Sequence, residues 1–344
     1  MNEFKSFDIE SCACFLADLA NNNKKLLIIT HRNPDGDAVG SSFALKKIYE
    51  LLGGSAICAC QSHIPEYLKK IVGNNEEFLT DVNCEYDTII TVDTASPSQM
   101  GDLQNLSTKV ALSIDHHENH TPYAPDLRDG NASAAGELIF KIYNDLLNKG
   151  LINKNAKVCR LIYTAISTDT GSFQYSNTTP ETMSILAKVM ETVNNDSNSM
   201  NTAEISRLLY HSKTLKEILN KKVFIDNLQI TDNRRIGYIV ITREIMLKND
   251  LREDELGGAI DIPRAIDTVE CAFVLKEENT SSDSEKSFRM SLRSNSELNV
   301  ADICKKFGGG GHAKAAGGSI TAESKEKAIE IVLNEINSAL NEVI

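Results

Sequence analysis

Short apolar runs alternate with helical patterns through the first half of the chain: KKLLIIT over 24–30, DAVGSSFALKKIYELLGG over 37–54, SAICAC over 55–60, YDTIITVD over 86–93 and KVALSID over 109–115. A run that is apolar throughout reads as a strand buried on both faces, so the alternation predicts βαβ units on a mainly parallel sheet flanked by helices. Ligands of such a sheet belong at the C-terminal ends of its strands. Helical periodicity continues from Ser133 to Lys149, Asn155 to Ser167 and Pro180 to Val193, until the polar stretch NNDSNSMN interrupts it. That stretch and a connecting helix from Thr202 to Leu219 divide the chain into a domain over 1–193, a linker over 194–219 and a smaller α/β domain over 220–344. In the second domain KVFIDNLQI, RIGYIVIT, DTVECAFVLKE and SFRMSLRS read as strands, NTSSDSEK as a hairpin loop, and the chain from Ala322 onward as a helix.

Length and composition agree with two ordinary globular domains: 344 residues, 41% hydrophobic, 24% charged and only 7 prolines. Collagen-like, coiled-coil and disulfide-stapled miniature folds are thereby excluded. The formal net charge of −12 repels long polyanions, which argues against a general coat protein for duplex DNA. No run of about 18 apolar residues is present, and the N-terminus carries acids where a signal peptide carries a basic segment, so a cytoplasmic protein with no membrane association is expected. The eight cysteines include no CxxC pair and read as buried, reduced thiols; a strand through either CAC triplet puts both of its thiols on one face.

Candidate chemistry gathers where strands end. His31, Asp35 and Asp37 share the loop HRNPDGD directly after a strand, and Pro34 with Gly36 forces a tight turn there. Asp93, Asp115, His116 and His117 follow two further strands, and Asp169 in STDTGSF lies just past a helix. Taken singly, Asp35 and Asp37 are ordinary turn formers, Asp93 is a helix cap, and His116 or His117 is a satisfied surface imidazole. Four separate loops offering acid or histidine at one sheet edge argue for a shared purpose. Converging carboxylates repel one another unless cations or protons intervene, and histidine nitrogen with carboxylate oxygen suits manganese or related divalent ions.

The succession HRNPDGDAVGSS, VDTAS, SIDHHENH, STDTGSF, SLRSN and FGGGGHAKAAGG resembles the DHH/DHHA1 phosphoesterases over nearly the whole chain, in particular the branch of stand-alone oligoribonucleases (nanoRNases) and adenosine-bisphosphate phosphatases. The resemblance implies an N-terminal DHH domain, a smaller DHHA1 domain, an active-site cleft between them and a two-metal site, most often with Mn²⁺ and with Mg²⁺ or Co²⁺ as alternatives. By the family pattern His31 and Asp35 bind the first ion, Asp37, His116 and Asp169 the second, and Asp93 bridges them. His117 then faces the substrate phosphate and Asp115 orients a ligand from behind. Paired ions acidify a water for in-line attack, so no covalent enzyme intermediate is implied. Ser41 and Ser42 read as caps or helix-packing residues. Dimerisation is a family habit, so a homodimer is among the implications.

Gly308 to Gly311 cannot lie inside a helix, where each glycine costs about 1 kcal/mol relative to alanine. A helix-like ADICKKF precedes them and AKAA follows; the reading is a binding loop whose amides approach an anion. Six cations against two acids stand between Lys286 and Lys314, so basic charge concentrates around the glycines. Arg293 suits a phosphate or a base, whereas Lys305 and Lys306 read as a solvated helix face. The family role of holding the nucleotide falls on Arg293, Gly309, Gly310, Gly311 and His312.

The function implied is metal-dependent cleavage of short oligoribonucleotides to nucleoside 5′-monophosphates, with removal of the 3′-phosphate from adenosine 3′,5′-bisphosphate as a second activity. A small basic patch on an acidic body grips a few nucleotides better than a long strand. Alternatives are a pApA or cyclic-dinucleotide phosphodiesterase, a pyrophosphatase, which in this family carries a different second domain, and a nucleotide-binding regulator without turnover.

Overall fold

The computed structural model describes residues 4–278 and 285–342. Most of the expected NTSSDSEK loop, 279–284, lies outside the described residues. The chain separates into two compact units, one ending at Ser212 and one beginning at Lys213.

In the first unit five strands, β1 (Lys25–Ile29), β2 (Ser55–Ala59), β3 (Thr88–Val92), β4 (Val110–Asp115) and β5 (Asp126–Arg128), form a wholly parallel sheet in the order β2-β1-β3-β4-β5. Alternate residues of one strand serve opposite faces: Leu26 and Ile28 join the larger core, Leu27 and Ile29 a smaller one under the 3-10 segment Pro97–Lys109. This two-sided burial explains why the strands read as unbroken apolar runs. The larger core is completed by α1 (Ile9–Asn21), α2 (Gly36–Leu51), α3 (Glu66–Val72), α4 (Ala135–Asn148), α5 (Ala156–Asp169), α6 (Pro180–Asn194) and α7 (Thr202–Ser206). The strand order reverses between β1 and β3, which makes their C-terminal ends the ligand-binding crevice of an open α/β sheet.

Small residues let three helices converge beside that crevice. A Cβ on Gly40 of α2 would stand 2.6 Å from the Leu161 carbonyl oxygen and 2.9 Å from Ala165 Cβ on α5, and one on Gly136 of α4 would stand 2.6 Å from Ala165 Cβ. The start of α2, the start of α4 and the end of α5 are thus brought to one place.

The second unit holds a six-stranded mixed sheet in the order β10-β11-β9-β8-β7-β6: β6 (Leu228–Ile230), β7 (Ile236–Ile241), β8 (Cys271–Glu277), β9 (Lys286–Ser294), β10 (Gly310–His312) and β11 (Ala315–Ala322). Among the described residues only β7 and β8 pair in parallel. Its helices are α8 (Leu215–Asp226), α9 (Arg243–Lys248), α10 (Asp261–Arg264), α11 (Val300–Lys305) and α12 (Lys325–Glu342). Phe273, Phe288, Met290 and Leu292 face the core under α11 and α12, while Ile239, Ile241, Ala272 and Val274 face one that includes Phe224 of α8.

Several expected elements are corrected. The connecting helix from Thr202 to Leu219 is broken: α7 runs into a π-type turn, Arg207–His211, and Thr214 caps a new helix through a reciprocal bond with Glu217. Ile205 and Leu209 on the near side of the break bury in the core of the first unit. KVFIDNLQI is mostly helix, because α8 continues to Asp226 with Phe224 buried, and only Leu228–Ile230 is extended. Of AKAA, Ala313 and Lys314 form a turn, and Ala315 and Ala316 open strand β11, which pairs with β9 from Ala315↔Arg293 to Ala322↔Lys286. The four-glycine run is no free loop either: Gly310–His312 is an edge strand on β11. Six of the eight thiols are buried and all are free, but Cys12 and Cys14 lie on a helix, and Cys14 is exposed. Among the described residues no helix is long and apolar enough to cross a membrane.

Candidate metal centre

Each acid and histidine expected at the sheet edge is held by a local device. Asp35 caps α2, its Oδ1 accepting the amides of Asp37 and Ala38 at 3.0 Å. Asp37, 1% exposed, accepts the amides of Ala135 at 2.6 Å and Gly136 at 3.0 Å, and the Ser41 hydroxyl at 2.7 Å. It therefore caps α4 from a distant part of the chain, where the N-cap residue Ala134 offers no side-chain acceptor. Ser41 thus supports Asp37 rather than a ligand. Asp93 sits at the end of β3 in the left-handed region with φ 55°, a conformation aspartate tolerates better than most residues, and its amide bonds the Ile114 carbonyl. Past Asp169, Gly171, Ser172 and Phe173 all have positive φ and turn the chain sharply, while Asn177 donates to the Asp169 and Ser133 carbonyls.

Two histidines are set by the same rule. His31 Nδ1 lies 2.9 Å from the Arg32 carbonyl and His116 Nδ1 3.1 Å from the Ala132 carbonyl. A carbonyl only accepts, so each Nδ1 donates its proton there and each Nε2 is the nitrogen turned to the centre. His31 Nε2 stands 3.4 Å from Asp93 Oδ2 and 3.9 Å from Asp35 Oδ1. His116 Nε2 stands 3.7 Å from Asp93 Oδ1, 3.6 Å from Asp37 Oδ2 and 3.5 Å from Asp169 Oδ2. The two oxygens of Asp93 consequently face different partners. Among the described residues three groups bring ligand atoms within 4.8 Å of one another: His31, Asp35 and Asp93; Asp37, His116 and Asp169; and Asp93, His116 and His117.

Electrostatics mark the place as one that needs positive charge. Burial pushes Asp37 well above the usual carboxylate range, with the charges of Asp93, Asp169 and Asp35 adding to it. Burial likewise raises Asp169 to about 6, helped by Asp93 and Asp35 against the opposing pull of His116. Asp35 is lowered, since His31 and the two capping amides outweigh its burial. His31 is pushed up to about 11 by Asp35 and Asp93 against its own desolvation. Asp93 Oδ1 is buried without a hydrogen-bond partner, an arrangement that costs free energy unless something binds it. The donor set and this orphaned oxygen fit divalent cations bound by carboxylate and imidazole.

His117 and Asp115 form a separate pair. Asp115 is wholly buried, and its Oδ1 lies 2.8 Å from His117 Nδ1, while the His117 side chain remains 39% exposed. The hydrogen bond to Asp115 raises His117 above the ordinary imidazole range. All eight residues expected at this edge therefore converge in the first unit.

Arg293, Gly309, Gly310, Gly311 and His312 lie in the second unit. A cavity of about 680 Å³ there is lined by Arg293, Gly310 and Gly311, together with Arg289, Ser291 and Phe307. Gly309 is not part of the lining: a Cβ on it would meet the Gly317 carbonyl oxygen at 2.0 Å, so its role is close backbone approach. His312, exposed on β10, is also outside it. The register Ala272↔Arg293 and Lys276↔Arg289 puts three cations on one face of the sheet, and burial with the nearby Arg289 and Arg293 lowers Lys276. Arg289 and Lys276 were not singled out from sequence; the period-two spacing of Arg289, Ser291 and Arg293 is the signal that points to the shared face. His120, which lies against Asp115, and Arg128, which donates to the His117 carbonyl, carry no motif signal of their own, although His120 stands inside DHHENH.

The DHH family N-terminal domain matches residues 25–166, and the DHHA1 domain matches residues 236–339. The chain belongs to the DHH/DHHA1 phosphoesterase family. A probable bifunctional oligoribonuclease and PAP phosphatase NrnA of Streptococcus mutans is 28% identical over 85% of this chain and 88% of its own. The bifunctional oligoribonuclease and PAP phosphatase NrnA of Bacillus subtilis is 27% identical over 85% of this chain and 89% of its own. Among solved structures, an exopolyphosphatase-related protein from Bacteroides fragilis superposes with a TM-score of 0.80 at 22% identity, covering 96% of both chains. An exonuclease RecJ bound to manganese gives a TM-score of 0.50 at 13% identity, covering 97% of this chain and 94% of that one. At these identities the two structures speak for the fold.

Proposed function

We propose that this DHH/DHHA1 protein is a cytoplasmic phosphodiesterase that degrades short oligoribonucleotides to nucleoside 5′-monophosphates and removes the 3′-phosphate of adenosine 3′,5′-bisphosphate, using two divalent ions, most often Mn²⁺. The observation that carries it is the double-faced Asp93: Oδ2 is turned to His31 beside Asp35, and Oδ1 to His116 beside Asp37 and Asp169. In this reading His31 and Asp35 hold one ion, Asp37, His116 and Asp169 the other, and Asp93 both. Such ions, when bound, supply charge neutralisation at the phosphoryl oxygens and acidify an attacking water. The protein's own part is to keep the ligand atoms aimed. The Ala135 and Gly136 amides fix Asp37, and the Arg32 and Ala132 carbonyls fix the histidine tautomers. His117, its Nδ1 held by Asp115, turns its other nitrogen to the substrate phosphate. In the second unit Arg293 and the glycine-lined cavity hold the nucleotide. Support for the substrate class comes from the Streptococcus and Bacillus oligoribonuclease relatives, and support for manganese from the manganese-bound RecJ.

A side-by-side assay tests the reading, with purified protein and Mn²⁺ offered a five-nucleotide RNA, pApA, cyclic di-AMP, adenosine 3′,5′-bisphosphate and pyrophosphate. Mononucleotides from the RNA and AMP from the bisphosphate are expected, both abolished by a chelator. Protein that leaves both untouched, or that prefers pyrophosphate, refutes it. Arg293→Ala should raise KM for the RNA by about tenfold or more with kcat nearly unchanged, the effect of losing a charge-assisted contact to phosphate. A loss in kcat alone would place Arg293 elsewhere in the reaction.

A further inference from the structure

The loop that carries the DHH residues holds a third histidine to which the family motifs give no role. The side chain of His120 is only 2% exposed, and it lies against Asp115, which is wholly buried. Asp115 meets two imidazoles: Oδ1 is 2.8 Å from His117 Nδ1, and Oδ2 is 3.2 Å from His120 Nδ1. We propose that His120 is a positioning residue for phosphoester cleavage, holding the second oxygen of Asp115 so that Asp115 in turn fixes the tautomer and aim of His117. The inference rests on the reading of His117 as the group that faces substrate.

The physical reason lies in the carboxylate torsion. The terminal torsion of an aspartate is broad and roughly two-fold, so a carboxylate with one partner can rock about it. A second donor on the other oxygen removes that freedom. Because a carboxylate only accepts, both imidazoles must carry their protons on Nδ1, which leaves His117 Nε2 as the nitrogen that faces outward.

The surroundings hold His120 in turn. Its Nε2 is 3.8 Å from Asp126 Oδ2 on β5, and its ring centroid is 6.0 Å from that of Tyr123. The Tyr123 hydroxyl is bonded to Thr91, Ser113 and the Thr94 carbonyl, tying the ring to β3 and β4. Arg128 secures the backbone between the two histidines, donating Nε to the His117 carbonyl at 3.0 Å and Nη2 to the Glu118 carbonyl. A residue needed only to fill this space would be apolar. Instead His120 Nε2 is buried without a hydrogen-bond partner, a cost that an imidazole retained for its Nδ1 donor explains.

The test uses the full chain with Mn²⁺ and two substrates, pApA and bis(p-nitrophenyl) phosphate. His120→Leu should lower kcat by about tenfold or more with KM within about twofold, the usual size of an outer-partner loss. His120→Asn, whose amide can donate from the place of Nδ1, should recover most of the rate. In a His117→Ala background the leucine change should add nothing, since its effect travels through His117. Equal losses in the leucine and asparagine variants, or losses that multiply with His117→Ala, would overturn the proposal. Imidazole ¹H–¹⁵N spectra of histidine-labelled, metal-free protein give a second readout: the His117 Nδ1–H signal should persist in the asparagine variant and vanish into exchange in the leucine variant. An unchanged signal in the leucine variant also overturns the proposal. Wild-type protein inert on both substrates would defeat the functional reading, and the spectra would still decide whether His120 fixes His117.

Discussion

Asp93→Asn is expected to lower turnover of short RNA and of adenosine 3′,5′-bisphosphate on the order of a thousandfold, the scale of losing a central electrostatic stabiliser. Asparagine keeps the shape of the side chain but carries one oxygen and no charge, so it cannot serve partners on both sides. The residue is 2% exposed, with its two oxygens 3.4 Å from His31 and 3.7 Å from His116. The substitution should also cancel the rise in melting temperature that Mn²⁺ gives the wild type. Binding to the folded state alone stabilises by about 2.7 kcal/mol at a hundredfold excess over Kd, and loss of affinity removes that gain. Steady-state kinetics and melting curves with and without Mn²⁺ measure both effects. A variant that keeps a tenth of the wild-type rate, or the full Mn²⁺-induced shift, would rule out a shared carboxylate.

Gly40→Val should have the largest effect on stability. Position 40 faces α5 so closely that even a Cβ would come 2.6 Å from the Leu161 carbonyl oxygen, which is backbone and cannot swing aside. A branched side chain must push α2 off α5, an overpacking cost of about 3 kcal/mol, which corresponds to a fall in melting temperature of roughly 6 to 12 °C. Activity should fall with it, because Asp37 at the start of α2 and Asp169 at the end of α5 are held in register by that crossing. A melting temperature within about two degrees of wild type would show that the helices can part at little cost.

Much of this molecule is legible in its residue pattern, and the failures are instructive. The parallel sheet of the first unit follows from runs such as LLII and TIITV, because a strand covered on both faces must be apolar throughout. The second unit departs further from its local pattern. KVFIDNLQI is rich in β-branched and aromatic residues, yet the capping box of Thr214 and Glu217 starts a helix whose register carries through Phe224 to Asp226. Ala315 and Ala316 have high helix propensity but lie in a strand, paired with His312 and Gly311 on one side and with Arg293 and Leu292 on the other. In both places packing outweighed local preference.

The sequence by itself determined which chemical groups the centre contains: six acids and histidines at strand and helix ends, with a short spacing from His31 to Asp37 that already confines three of them to one loop. Only the tertiary structure decided how they are aimed. Asp37 reaches across the chain to cap α4, the carbonyl of Ala132 fixes which nitrogen of His116 faces the centre, and Asp115 meets His120 as well as His117. The reason is that a motif records residue types and separations along the chain. Hydrogen-bond direction and the choice of tautomer depend on donors and acceptors that come near only when the helices pack.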